Sequence, residues 1–174
     1  MDDWILTYTG RRFYPLTPRA EDVDILDIAH ALSLICRFNG HVRSFYSVAQ
    51  HCVLGSYLVY PPSALAFLLH DAGEAYLCDV PRPVKQHLLV YRNAERALDN
   101  VIRNVFRLPL LQQSWDHVHE VDDRLLLTER RDLMPAGEWL IDETRCYAQV
   151  IDPWSAPHAE AMFLRRYAEL RAKS

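Results

Sequence analysis

The stretch FLLHDAGEAYLCDVP, residues 67–81, sets His70 and Asp71 side by side at the end of an apolar run, with Glu74 and Asp79 close behind. A buried carboxylate is unfavourable unless it is paired or bound to a metal. On a continuous helix Glu74 lies four residues beyond His70 and three beyond Asp71, so one turn brings all three to one face. Two carboxylates and an imidazole crowded there repel unless a cation sits among them. The same anomaly recurs at two distant positions. His51 lies inside the helix that Ser47 opens. Asp122 lies on the stripe Val118, Val121, Leu125 and Glu129, whereas Asp123 lies off it. His51, His70, Asp71 and Asp122 thus offer two imidazoles and two carboxylates. That set suits a divalent transition metal with positions left open for water and substrate. His30, His87, His117, His119 and His158 have no carboxylate at comparable spacing on an apolar face and read as packing or surface groups.

Such a site needs stiff supports, and helices are the ones this chain supplies. Residues up to 24 are loop-like, with Tyr8-Thr9-Gly10-Arg11 able to turn a short hairpin before Pro15 and Pro18. Asp24 can cap a helix that carries Asp27 in its first turn and Ile28, Leu32 and Ile35 on one face. Arg37 to Tyr46 reads as a loop. Ser47-x-x-Gln50 is a capping box, and Pro61-Pro62 stops its helix near Tyr60. A third helix carries LAFLLHDAGEAYL, and the prolines of DVPRPVK force the chain out of it. A fourth runs over about 90–106 with Ala94, Leu98, Val101 and Val105 on its stripe, and a fifth over about 114–133. After a less regular segment punctuated by Pro135, Gly137, Pro153 and Pro157, a last helix over about 158–172 buries Ala159, Met162, Phe163 and Leu170. Strand signals are scarce. The expectation is one compact all-α domain over 1–174 with about six helices.

Composition narrows the class further. A chain of 174 residues, 50% hydrophobic and 24% charged, fits one globular domain. No apolar stretch approaches the roughly 18 residues that span a membrane, so no membrane partner is expected. The acidic N-terminus MDDWILTYTG does not resemble a signal peptide, and a cytoplasmic location follows as the expectation. Cys36, Cys52, Cys78 and Cys146 stand far apart in apolar company without CxxC spacing and read as buried free thiols. A net charge of −4 argues against a nucleic-acid partner but leaves small phosphorylated ligands open, since these need only a local positive pocket.

The order His51…His70-Asp71…Asp122 resembles the signature of the HD-domain phosphohydrolases, an all-α superfamily of metal-dependent phosphate-ester hydrolases. More of the chain is similar to one branch, the YfbR-like 5′-deoxynucleotidases. SVAQH, ending at His51, resembles the first-histidine motif. HDAGEAYLCDVPRPVK resembles the pattern of HD, a glutamate, then an aspartate leading into a Pro-x-Pro-Val-Lys turn. EVDDRLLLTE resembles the last-aspartate helix, and Arg37-Phe38 resembles the Arg-Trp pair of the substrate pocket. The likeness covers roughly residues 28–133.

The resemblance implies an HD-type helical bundle and one divalent transition metal (cobalt, manganese, zinc, iron or nickel) on His51, His70, Asp71 and Asp122. It implies Glu74 as the group that handles the proton of the attacking water and Asp79 as a second polar partner near the phosphate or the water. Arg37 would clamp the phosphate with help from Lys85. Phe38 stands where the family often has tryptophan, which puts strict deoxyribose selectivity in doubt. The activity implied is removal of the 5′-phosphate from deoxynucleoside monophosphates, with a nucleotide as the small-molecule partner and a homodimer as the expected form of any self-association. Two alternatives remain. One is a deoxynucleoside triphosphate triphosphohydrolase using the same metal site, with Arg43, Arg82 and Lys85 as a basic rim. The other is a catalytically silent HD domain that binds a nucleotide or a protein, whose mark would be a damaged ligand set; the ligand positions here are all present.

Overall fold

The computed structural model describes residues 3–109, 111–137 and 142–172. Within them the architecture is all-α with one small antiparallel hairpin, as expected. Strands β1 (Ile5–Leu6) and β2 (Arg12–Phe13) pair with Ile5 opposite Phe13. Gly10 takes a φ of 81° in the connecting turn, a conformation glycine adopts without a steric penalty. The hairpin is tied to helix α1 (Ile25–Leu34), where buried Asp27 accepts hydrogen bonds from the Thr9 backbone N–H at 2.7 Å and the Thr9 hydroxyl at 3.0 Å. Asp24 caps α1 by accepting from the Leu26 N–H.

Helix α2 (Val48–Leu58) is the central element. It packs against α1, α3 (Ala64–Leu68), α7 (Gln112–Leu133) and α8 (Ala156–Arg171), and Val48, Ala49, His51, Cys52 and Val53 are fully buried. Burying a valine side chain contributes about 1.5–3 kcal/mol, so α2 is held by its neighbours and needs little intrinsic amphipathicity. Only half of the expected capping box forms. The Ser47 hydroxyl accepts from the Gln50 N–H, but the Gln50 side chain does not return to Ser47. Its amide instead donates to the Asp152 carbonyl at 2.7 Å and accepts from the Trp154 N–H at 2.8 Å. Gln50 thereby satisfies the backbone of the irregular segment before α8.

The expected count of about six helices becomes eight among the described residues, because the third helix is broken at the very residues of interest and one further short helix follows it. Helix α3 ends at Leu68 and α4 (Glu74–Leu77) begins after a turn. In a continuing helix the Phe67 carbonyl would accept from the N–H of residue 71. Here His70 takes it, through its ring Nδ1 at 2.7 Å. The DVPRPVK segment leaves the helix at Cys78, as expected, but then winds a further turn, α5 (Arg82–Lys85), with Pro83 in a first-turn position that tolerates proline. Helix α6 (Leu89–Phe106) follows; it buries Ala94, Leu98, Ile102 and Phe106, while Val101 and Val105 flank that stripe. In α8, Ala159 and Phe163 are buried as expected, and Met162 and Leu170 pack at the margin of the core. All four cysteines are free, but Cys78 is exposed, contrary to expectation. Part of the irregular stretch between α7 and α8, residues 138–141, lies outside the described residues. Among the described residues no helix is long and apolar enough to cross a membrane.

Candidate metal centre

The fold brings His51 from α2, His70 and Asp71 from the α3–α4 turn and Asp122 from α7 to one point. The two imidazoles meet through their Nε2 atoms, 3.4 Å apart. Asp122 Oδ1 lies 3.2 Å from His51 Nε2 and 3.9 Å from His70 Nε2. Asp71 lies 3.2 Å from His70 Nε2 and 3.9 Å from His51 Nε2. Ligand atoms that share one ion at about 2.0–2.2 Å stand roughly 3.0–3.5 Å from each other; three of these five separations fall in that range and the two of 3.9 Å lie beyond it. His51, His70 and Asp71 form a group able to bind a metal ion, with ligand atoms all within 4.8 Å of one another. Asp122 touches both imidazoles from the other side of the site but falls outside that mutual set. Among the described residues no other such group of histidine, cysteine and carboxylate side chains occurs.

The far nitrogen of each ring decides which lone pair faces the centre. His70 Nδ1 sits 2.7 Å from the Phe67 carbonyl, which can only accept, so Nδ1 carries the proton and Nε2 offers its lone pair. His51 Nδ1 sits 2.7 Å from Glu129 Oε1 and is fixed in the same sense by a carboxylate. Outer partners of this kind orient metal-binding histidines and raise their basicity.

Glu129 is the functional residue that the sequence reading placed on the α7 stripe without giving it a role. It is fully buried, and both of its oxygens are occupied. Oε1 accepts from His51 and from the Tyr46 hydroxyl at 2.8 Å; Oε2 accepts from Arg37 Nε at 3.1 Å and Nη2 at 3.0 Å. Burial alone would raise its pKa, but Arg37 and His51 outweigh burial and hold it below the usual glutamate value. The signal was present: a carboxylate on an apolar stripe, two turns beyond Asp122 and next to Thr128, with Leu125 and Leu133 on the same face.

Arg37 is therefore not a free clamp. Nε and Nη2 are spent on Glu129, and Nη1 points toward Asp71 Oδ2 at 3.6 Å. Asp71, Asp122 and Glu129 face the Arg37 guanidinium and the His51 imidazole together. His51 responds to the same field. Burial and Arg37 push its pKa down, but Glu129 and Asp122 lift it to about 9. Burial would raise Asp122, yet the hydrogen bond and charge of His51, then His70 and Arg37, pull it below the ordinary carboxylate range. Both shifts express the pairing of His51 with its carboxylate neighbours.

In front of the centre lies a pocket of about 810 Å³, lined by Arg37, Phe38, Asp71, Glu74, Asp79, Lys85 and Asp122 among others. Continuous helical spacing predicts Glu74 on the face of His70 and Asp71. The broken helix voids that reason, but the turn delivers Glu74 to the same pocket, its N–H donating to the Asp71 carbonyl at 2.9 Å. Glu74 Oε2 is buried and has no hydrogen-bond partner among the described residues. Burial, then Asp71 and Asp79, push its pKa well above the usual value. Asp79 is raised too, chiefly by burial. An orphaned, buried carboxylate oxygen beside a convergent nitrogen and oxygen set fits a hydrated divalent cation. Lys85 lines the pocket but is already paired with Glu95 at 2.6 Å. Phe38 and Asn39 also line it, both with left-handed backbone (φ of 55° and 51°), an arrangement that costs roughly 1–2 kcal/mol per residue. Arg43 does not line the pocket; its backbone N–H donates to the Leu133 carbonyl. His30 is not without a carboxylate after all: Glu160 lies 3.1 Å away and Tyr8 stacks on its ring, a pairing across 130 residues that sequence spacing does not reveal.

Fold and site together define a class: an all-α protein whose helices carry a buried His–His–Asp group able to bind a metal ion. The chain is 41% identical over 171 residues to the uncharacterized protein YfdR of Escherichia coli (strain K12), covering 96% of this chain and 95% of that protein. It belongs to the YfdR family. It is also 40% identical over 91 residues to an uncharacterized protein of Rhodobacter capsulatus, covering 47% of this chain and 46% of that protein. No family model matches the chain.

Proposed function

We propose that the chain is a divalent-metal-dependent phosphohydrolase of the HD type that removes the 5′-phosphate from deoxynucleoside monophosphates. The observation that carries this reading is the convergence of two imidazole Nε2 atoms and two carboxylates at 3.2–3.9 Å behind an open pocket. His51, His70, Asp71 and Asp122 would hold the metal. Bound there, a divalent cation supplies Lewis acidity, which makes water nucleophilic near neutral pH and offsets phosphoryl charge. The chain's own groups do the rest. Glu74 lines the pocket with one carboxylate oxygen left without a hydrogen-bond partner, which suits a group that handles the proton of the attacking water. Arg37 offers the edge not spent on Glu129 to the phosphate oxygens. Asp79 stands by as a second polar partner, and Phe38 forms the wall against the sugar.

A triphosphate substrate is less well supported. Its expected basic rim reduces to Arg82, because Arg43 lies outside the lining and Lys85 is paired with Glu95. The test is a hydrolysis panel of mono-, di- and triphosphate nucleosides, deoxy and ribo, run with and without added metal. Deoxynucleoside monophosphate turnover that chelation abolishes is expected; full turnover by demonstrably metal-free protein would sink the reading. Glu74→Gln should lower kcat by about 10²–10⁴-fold while metal content stays unchanged. Loss of metal in that variant would make Glu74 a ligand instead.

A further inference from the structure

We infer that Glu129 is a positioning residue that couples the metal centre to the phosphate-facing cation, setting His51 and Arg37 with one carboxylate. The inference rests on the metal-dependent reading above. Its basis is the division of labour between the two oxygens. Oε1 receives His51 Nδ1 at 2.7 Å, which fixes the ring with Nε2 toward the centre. Oε2 receives Arg37 side-on through Nε and Nη2, at 3.1 and 3.0 Å, which leaves Nη1 directed toward Asp71 and the pocket. Rotation of the Glu129 carboxylate therefore moves both groups together. Tyr46 adds a bond to Oε1 at 2.8 Å and restrains that rotation.

A purely structural role accounts poorly for this arrangement. A buried ion pair is often no more stable than apolar side chains of the same volume. The neighbouring positions on α7 are occupied by such side chains, Leu125 and Leu133, both buried. A carboxylate that accepts three hydrogen bonds, from His51, Arg37 and Tyr46, and makes a further ion-pair contact with Arg37 defines geometry that leucine cannot.

Glu129→Gln separates the roles because an amide cannot serve both sides. With its oxygen toward His51, its NH₂ meets the donors of Arg37. With its NH₂ toward His51, the ring must turn its proton to Nε2 and lose the metal-facing lone pair. The experiment is a Co²⁺ titration of wild type and Glu129→Gln, read by the visible cobalt spectrum, followed by calorimetric binding of inorganic phosphate to the Co²⁺-saturated proteins. Circular dichroism controls for folding. The expected result is Co²⁺ binding weakened by about 10–100-fold, the usual effect of losing an outer partner of a ligand, with an altered cobalt spectrum. Phosphate should bind roughly tenfold more weakly, as for a lost charge-assisted hydrogen bond. If Glu129→Gln does not fold, Glu129→Asp keeps the charge but cannot reach both partners, and a weakening of both constants is again expected. A variant that folds and binds Co²⁺ and phosphate with wild-type constants overturns the inference while leaving the metal-dependent reading intact. Wild-type protein that binds no Co²⁺ overturns both.

Discussion

Replacing Gly55 with alanine should damage the metal centre from a helix position that contributes no ligand. Gly55 is buried on α2, where α3 crosses, and a methyl group there would overlap the Phe67 ring at Cε1 and Cζ and approach Cδ1 to 2.7 Å. Phe67 is fully buried and has nowhere to swing. Its ring packs against those of His70 and His51, with centroids 4.6 Å and 5.7 Å away, and its carbonyl holds His70 Nδ1 at 2.7 Å. Overpacking of a core costs about 1–3 kcal/mol, and so direct an overlap belongs at the upper end. Alanine recovers roughly 1 kcal/mol of helix propensity relative to glycine. The net cost is about 2 kcal/mol, which for a domain of this size lowers Tm by roughly 4–8 °C. Thermal unfolding of chelator-treated protein measures that term without metal binding mixed in. Because the Phe67 ring packs against both imidazoles, Co²⁺ affinity should fall by about tenfold or more as well. Adding Phe67→Leu should recover part of the loss, so that the double variant is more stable than the two singles summed. A Gly55→Ala protein that melts at or above the wild-type temperature, or strictly additive variants, would refute the packing argument.

Other outcomes follow from individual side chains. Asp122→Asn should weaken Co²⁺ binding by at least about 100-fold, the upper end for losing even an outer partner, whereas Asp123→Asn, on the exposed side of α7, should bind as wild type; the reverse order in a metal titration would mean the helix phase is misread. Asp99 has its pKa raised to about 6, by burial first and then by Glu95 and Asp71 against the pull of Arg103. The unfolded carboxyl ionises near 3.9, so the folded state is favoured below about pH 4 and loses that advantage as pH rises through about 6. Asp99→Asn should match wild type near pH 4 and exceed it by about 1–2 kcal/mol at pH 7, after discounting for partial exposure, and urea titrations at the two pH values check the sign. Cys78 is exposed with φ of 64° and ψ of 161°, a region that suits glycine alone. Cys78→Gly should therefore stabilise by about 1 kcal/mol in urea unfolding, the relief of strain exceeding the added chain entropy; a loss of stability would show that the conformation carries no strain.

Much of the fold was legible because its signals are local. The Asp24 cap, the Ser47 hydroxyl on the Gln50 N–H, the turn around Gly10 and the long periodic helices α6 and α7 depend on residues within a few positions of one another. The residues that converge at the candidate site were legible for a related reason: a charged or imidazole side chain on an apolar stripe is costly unless something in the fold requires it. Helix phase alone then separated Asp122 from Asp123.

What the tertiary structure decided is whatever one group does for a distant one. At the break between α3 and α4 the Phe67 carbonyl accepts from the His70 ring and from the His70 backbone N–H, local bonds that no propensity scale contains. Gln50 abandons its capping box for Asp152 and Trp154, more than 100 residues away. Arg37 looks like a free phosphate clamp in sequence, yet two of its nitrogens face Glu129, 92 residues on. By itself, then, the sequence determined which residues had a reason to be buried together and the helices that carry them. The outer partner of each imidazole and the hidden carboxylate between His51 and Arg37 were decided by packing, because hydrogen-bond partners exist only once the helices meet.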